Sequence, residues 1–334
     1  MNMQEISAES SVSNLPEIRR VASRIADFIL RTPTVRWPIP PIGGGPVSEL
    51  YVKLELLQIA GSFKARAAVN TILEQMTDNR MPSDFPGVTA FSAGNHAIAV
   101  AFAARRLGVS AKVVMPRTAN PFRVERCEAY GAEIVFGDTI KDLLELTKGV
   151  AEQEGRLLIH PFEGRATALA TATVGLELCE DVPELDAVIV PVGGGGLIAG
   201  IAMAVKQIQP SCMVIGVEPA GACGMRQSLL ERSPRSSVHV DTIADSLGAP
   251  MHEPLSFGLV RRHVDQIVTV SDDELRVAMR QMFHDLKLAV EPACAAALAA
   301  YNGPLTEVLQ GKRTALIACG SNIDLASYQS LVGS

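Results

Sequence analysis

Short apolar runs alternate with longer stretches of mixed apolar and polar positions along almost the whole chain. Val88–Ser92, Ala111–Met115, Ile134–Phe136, Ala187–Val192, Met213–Val217, Ile267–Val270 and Thr314–Ala318 have strand length and strand composition. Between them, Ala65–Met76, Ala97–Leu107, Pro121–Tyr130, Ile140–Glu154, Leu197–Ile208 and Asp272–Leu286 read as helices. Several carry their own punctuation. Pro121 opens one helix, Gly155 ends another, and Ser271 is placed to cap a third. The Ala-rich stretch Ala289–Ala300 also reads as a helix, with Pro292 in its first turn and Glu291 near the positive end of its dipole. Trp37–Pro46, rich in proline and glycine, reads as a surface loop. Strands without a polar face, alternating with helices, predict an α/β fold. The sheet should be mostly parallel and covered by helices on both sides.

Composition narrows the class. The chain has 334 residues, 48% hydrophobic and 20% charged, enough to build a large core and, at this length, about two domains. A net charge of −6 offers no broad basic field for nucleic acid or an anionic membrane. Arg105-Arg106 and Arg261-Arg262 read as solvated faces. No run approaches the ~18 apolar residues of a membrane span. The polar first 14 residues, with Glu5 and Glu9, do not resemble a secretory leader. A cytoplasmic protein is the expectation. Cys127, Cys179, Cys212, Cys223, Cys294 and Cys319 form no C-x-x-C pair and sit beside no histidine at zinc spacing, so reduced thiols, mostly buried, are expected.

Three segments carry candidate chemistry. Gly193, Gly194, Gly195 and Gly196 lie between an apolar strand and a helix, where backbone N–H groups can approach an anion and the helix dipole favours it. A phosphate site is one reading, and a tight turn needing positive φ is the other. Gly194-x-Gly196-x-x-Ala199, followed by Glu218 at the end of the next strand, also loosely matches a dinucleotide site, though in mid-chain rather than at a first β-α turn. Lys64 follows Phe63 and opens a moderately apolar helix, a setting that can lower an amine's pKa and make it reactive. Ser92-Ala93-Gly94-Asn95-His96 places small residues at another helix N-terminus, suited to a carboxylate or simply to a capped turn.

In order along the chain stand Gly61-Ser62-Phe63-Lys64, Ser92-Ala93-Gly94-Asn95-His96, the four glycines, Ile243-Ala244-Asp245, Glu291-Pro292-Ala293 and Cys319-Gly320-Ser321-Asn322. This set resembles the fold type II pyridoxal-phosphate enzymes, which are tryptophan synthase β-like, and specifically the threonine/serine dehydratase and serine racemase family. The resemblance implies two domains, each with a mostly parallel twisted sheet flanked by helices. A large cofactor-binding domain would span 1–72 and 155–334, and a small inserted domain 73–154. Lys64 would be the catalytic residue and carry pyridoxal 5'-phosphate as a Schiff base. Phe63 would pack by the cofactor ring and Asn95 would bond its hydroxyl. Gly193 to Gly196, with Leu197, would hold the phosphate, and Cys319 would face the pyridine nitrogen. Ser92, Ala93, Gly94, Asn95 and His96 would surround the substrate carboxylate. A homodimer acting on a small amino acid is also implied.

Departures from the family pattern narrow the reaction. Ala93 stands where racemases carry a serine that donates a proton, so elimination is expected rather than racemisation. Glu218-Pro219 matches the start of a divalent-metal segment, but Cys223 and Gly224 replace its later acids, so no metal is expected and Glu218 is the one remaining candidate. Ala60 and Ala67 also depart, beside the lysine. A thiol at Cys319 brings no fixed charge, which favours prompt departure of a leaving group over transamination. The expected reaction is dehydration and deamination of a β-hydroxy-α-amino acid such as L-threonine or L-serine. The alternatives are 3-hydroxyaspartate, phenylserine or a hydroxyectoine-pathway intermediate as substrate, or a racemase or a β-replacement synthase as enzyme. A regulatory domain of the kind found in biosynthetic threonine dehydratases is not expected.

Overall fold

The computed structural model describes residues 14–37, 49–76 and 81–333. In chain order the elements are α1 (Leu15–Ile25), β1 (Thr34–Trp37), β2 (Glu49–Lys53), α2 (Lys64–Leu73), β3 (Val88–Phe91), α3 (Asn95–Leu107), β4 (Ala111–Pro116), α4 (Pro121–Ala129), β5 (Glu133–Gly137), α5 (Ile140–Glu154) and β6 (Leu157–Leu158). They continue with α6 (Arg165–Asp181), β7 (Ala187–Pro191), α7 (Gly196–Ile208), β8 (Met213–Pro219), α8 (Gly224–Glu231), α9 (Pro254–His263), β9 (Gln266–Val270), α10 (Asp272–Leu286), α11 (Pro292–Asn302), β10 (Arg313–Ile317) and α12 (Leu325–Val332).

These strands form two sheets. A six-stranded sheet has the order β1-β2-β10-β7-β8-β9, with β1 antiparallel and every other pair parallel. A four-stranded parallel sheet has the order β5-β4-β3-β6. The continuous apolar run of β7 is explained by its central place, where all five residues are buried. β5 lies at an edge instead, and Phe136 on it is 37% exposed. The small sheet reaches past the expected boundary at residue 154, because β6 pairs with β3 through Leu157 and Leu158. Trp37 is a correction to the loop reading: it closes β1 opposite Leu50 and is buried, while 38–46 lie outside the described residues.

The cap expected at Ser271 forms, and Thr139 supplies another. Thr139 with Asp142, and Ser271 with Glu274, form reciprocal capping boxes at the starts of α5 and α10. α6 is one of the helices with no such signature. It is buried on nearly every side and has no polar stripe to reveal it. It packs on α7 at close range, since a Cβ at Gly200 would lie 2.5 Å from the Ala168 carbonyl oxygen. Thr171 at this contact donates to the Gly196 carbonyl at 2.8 Å, tying α6 to the glycine run.

α6 also anchors α2 through charge. The Arg66 guanidinium is fully buried and donates to Glu55 (2.7 and 2.8 Å) and to Glu177 of α6 (2.6 and 2.8 Å). Lys53 adds a bond to Glu177 at 2.7 Å, and Thr32 donates to Glu55. Every charge in this network is paired, as burial demands. Among the described residues, no helix is long and apolar enough to cross a membrane.

Candidate active site

The carboxyl ends of β3, β7 and β10 converge on one cavity of about 420 Å³, walled by residues that follow strands of both sheets. Crevices at strand carboxyl ends are where open α/β sheets bind ligands. Phe63, Lys64, Ser92, Ala93, Gly94, Asn95, His96, Gly193, Gly194, Gly195, Gly196, Leu197 and Cys319 all border it. The segments picked out in the sequence therefore meet in one place.

Lys64 is the first residue of α2, partly buried, and borders the cavity. Its Nζ donates to the Pro161 carbonyl at 2.5 Å and lies 5.0 Å from the Phe63 ring centroid. It has no ion pair among the described residues. Burial pulls the amine down to about 8 from its ordinary value of 10.5, with Cys319 and Glu291 pulling weakly the other way. A substantial neutral fraction near neutral pH is what a nucleophilic amine needs.

Within the glycine run only Gly195 has a positive φ, +91°. The turn therefore needs one glycine, and close approach explains its neighbours. A Cβ on Gly194 would lie 2.2 Å from the Phe162 ring, and one on Gly196 would lie 2.5 Å from the Phe162 carbonyl oxygen. The first-turn N–H groups of α7 have no partner within the helix and sit at its positive end. Since the obstacle at Gly196 is backbone, Gly196→Ala should distort the loop. For the pyridoxal phosphate that the resemblance implies, we expect Kd to rise by roughly tenfold or more, about 1.4 kcal/mol, measured by absorbance titration. An unchanged Kd would remove the loop from cofactor binding.

At the other helix start, Ser92 Oγ accepts the Gly94 N–H at 3.0 Å, which shapes the turn into α3. Asn95 Nδ2 donates to Glu291 at 2.6 Å, and its Oδ1 accepts from Asn322 at 2.7 Å. A further contact of Nδ2, to Ser246, is long at 3.4 Å, so one amide proton remains weakly engaged. Ala93 presents a methyl group. His96 modifies the expectation for this loop. Its Nε2 lies 2.8 Å from the Ile159 carbonyl, and burial holds its pKa down to about 3. The ring is buried and neutral, so His96 can serve an anion through its backbone N–H and not through a charged side chain.

Cys319 is buried, and a hydrogen bond with Cys294 together with burial pushes its thiol well above the ordinary value. It is neutral at any working pH. Glu218 has another occupation: its two oxygens accept the N–H groups of Met225 (2.8 Å) and Arg226 (2.9 Å) at the start of α8. Among the described residues, no group of three or more acidic, histidine or cysteine side chains is arranged to hold a metal.

Several residues of the cavity were not singled out from the sequence. His160, Pro161 and Phe162 follow β6, and no motif marks them. Arg123 on α4 donates to Asp245 and to the Asn322 carbonyl, joining elements that follow both sheets. Glu291 was quoted within a motif without a role. Burial pushes its carboxyl up to about 7 against the pull of Arg123, and its Oε2 has no hydrogen-bond partner among the described residues.

Residues 25–320 match the family model described as pyridoxal-phosphate dependent enzyme. The chain is 46% identical over 325 residues to phenylserine dehydratase of Ralstonia pickettii, covering 96% of this chain and 98% of that one. The chain belongs to the pyridoxal-phosphate-dependent enzymes. Within them, the catabolic L-threonine dehydratase TdcB of Escherichia coli strain K12 is 39% identical over 287 residues, covering 85% of this chain and 86% of that protein. Maize serine racemase superposes with a TM-score of 0.86 at 37% identity, covering 96% of this chain and 98% of that one. These relatives place the protein in the threonine/serine dehydratase and serine racemase group, and pyridoxal 5'-phosphate is its cofactor.

The cavity of this pyridoxal-phosphate-dependent enzyme fits that cofactor by its chemistry. It offers an amine without an acid partner for an aldehyde, a backbone cradle with no room for a Cβ for a phosphate, and a neutral thiol at Cys319.

Proposed function

We propose that the enzyme eliminates water from a β-hydroxy-α-amino acid with an aryl β-substituent, 3-phenylserine or a close analogue, yielding a 2-oxo acid and ammonia. The observation that carries elimination is that Lys64 and Ala93 line the same cavity, an amine base beside a methyl group where racemases carry a proton-donating serine. In the bound state the cofactor supplies a sink for the electrons left behind when the α-proton departs.

The protein's own groups do the rest. Gly193 to Gly196 and Leu197, at the start of α7, hold the cofactor phosphate. Phe63 flanks the ring, Asn95 bonds its hydroxyl and Cys319 faces its nitrogen without imposing a charge. The N–H groups of the Ser92–His96 turn hold the substrate carboxylate at the positive end of α3. Lys64 Nζ takes the α-proton. Ala93 cannot return one, so the carbon loses its proton without inverting. The β-hydroxyl leaves as water, and the enamine set free hydrolyses in solution.

The aryl preference rests on the apolar share of the cavity lining, which includes Phe91, Pro116, Ile140, Leu143, Phe162 and Met251. The nearby cation, Arg123, is committed to Asp245 and Asn322, so a second carboxylate has no partner there. The name of the Ralstonia pickettii relative points the same way. The test is a panel of β-hydroxy amino acids in all stereoisomers, scored for ammonia and 2-oxo acid. We expect kcat/KM for 3-phenylserine to exceed that for threonine by on the order of tenfold or more, the range that burying extra apolar atoms supplies. Preference for 3-hydroxyaspartate would overturn the aryl assignment. Racemisation without ammonia would overturn elimination.

A further inference from the structure

We propose that His160 is the hydrogen-bond donor for the departing β-hydroxyl, a neutral imidazole that meets the oxygen through Nε2–H and keeps its proton throughout. The proposal rests on the dehydratase reading above and assigns a group to its leaving oxygen.

His160 lies in the turn after β6 that also supplies Pro161, whose carbonyl holds Lys64, and Phe162, which rests against the glycine run. The imidazole is fixed on one side. Its Nδ1 accepts the backbone N–H groups of Glu163 at 3.0 Å and Phe162 at 3.3 Å. A ring nitrogen that accepts carries no proton, so in the neutral ring the proton sits on Nε2. Two aromatic rings hold the plane: Phe162 edge-on at 4.6 Å between centroids, and Phe91 edge-on at 6.2 Å. Rotation of the ring would break both backbone bonds. Burial and the charge of Lys64 bring the pKa of His160 down to about 4, so the neutral form persists through the physiological range.

Nε2 is on the opposite side of the ring and has no protein partner among the described residues, while the ring borders the cavity. It is thus an oriented donor in a cavity whose lining includes the apolar side chains of Phe91, Pro116, Ile140, Leu143 and Phe162. A donor in such a lining is costly to leave unpaired. The other oxygens of the reacting complex have donors already: the phosphate at the start of α7 and the carboxylate at the start of α3. The β-oxygen is the acceptor left. A bond there strengthens as the Cβ–O bond lengthens and charge gathers on oxygen. Lys64 hands the proton it took from Cα to the hydroxide leaving Cβ, which departs as water and returns the amine to its neutral form, so the step needs no proton from His160.

The test separates a donor from a structural prop. In His160→Asn, the side-chain oxygen can still accept from the Phe162 and Glu163 backbone, but the amide no longer reaches as far into the cavity. We expect kcat/KM on the β-hydroxy substrate to fall on the order of 100-fold. On 3-chloroalanine, whose chloride departs without a strong donor, the fall should be roughly twofold or less, about 0.4 kcal/mol. Absorbance-titrated cofactor affinity and the unfolding midpoint should stay unchanged. His160→Gln, which returns an amide near the Nε2 position, should recover part of the lost rate. Equal losses on both substrates, or no loss on either, would remove the assignment. A wild-type enzyme that acts on 3-chloroalanine but releases no ammonia from any β-hydroxy amino acid would remove the dehydratase reading itself.

Discussion

Lys64→Ala protein should lose turnover by roughly a thousandfold or more, because one substitution removes both the nucleophile and the general base of the proposed reaction. The fold should survive. Lys64 has a single hydrogen bond, to the Pro161 carbonyl, and no ion pair among the described residues. Removing it also relieves the cost of burying an amine whose pKa is already drawn down to about 8. The same number sets a pH dependence for loading the cofactor-free protein. The reactive form is the neutral amine, so the rate of covalent attachment should climb with pH up to about 8 and then level off. A rate that kept climbing toward 10.5 would mean that Lys64 is not held in the environment described. Stopped-flow absorbance across a pH series reads this directly, and Lys64→Ala should show no slow covalent phase at all.

Arg66→Met should cost roughly 3–5 kcal/mol of stability, the usual penalty for leaving partners of a buried ion pair behind. Arg66 and Glu55 are both fully buried, and Glu177 is nearly so. Alone, burial would push the Glu55 carboxyl up, but the adjacent guanidinium outweighs it and holds the group below its ordinary value. A depressed carboxylate contributes stability that is present above its unfolded pKa of about 4.3 and is lost as pH falls through the folded value. In the variant that sign reverses, because an unpaired buried carboxylate prefers its proton. The stability gap between wild type and Arg66→Met should therefore be widest near neutral pH and narrow below about pH 5. Urea unfolding at pH 7 and pH 5 measures it, and a pH-independent gap would mean that lost packing, not charge, dominates. Because Arg66 lies two residues from Lys64 on α2, the variant should also bind cofactor less tightly.

How much of this was legible in the sequence depended on how local the cause was. α5 and α10 were readable because their apolar periodicity and end signals are local, and the end of α5 and the start of α10 fell where Gly155 and Ser271 placed them. β7 was readable because a strand buried on both faces must be apolar throughout. α6 was not, since a helix buried on every side leaves no stripe, and its many alanines and threonines match no single period. Trp37 was misplaced because the prolines and glycines after it outweighed the strand it closes.

The site divides in the same way. Lys64, the glycine run and the Asn95 turn each carry a local signature at a helix start. Asn95 and Cys319 were given roles by resemblance, and the structure adds the contacts that restrain them. His160 could not be found that way. It matters because residues 97 apart in sequence, Lys64 and Pro161, come into contact, and no spacing rule encodes that. Arg123 and Glu291 belong to the same class: a surface-looking arginine and a helix-capping glutamate become cavity residues only when the two sheets close on each other.

The central claim is that Lys64 is the residue that holds and uses the cofactor. Borohydride reduction of the yellow holoenzyme, followed by peptide mass spectrometry, tests it most directly. The account requires the pyridoxyl phosphate mass on the peptide containing Lys64, with loss of ammonia release in step with labelling. A label on another lysine, or full activity after complete reduction, would contradict it.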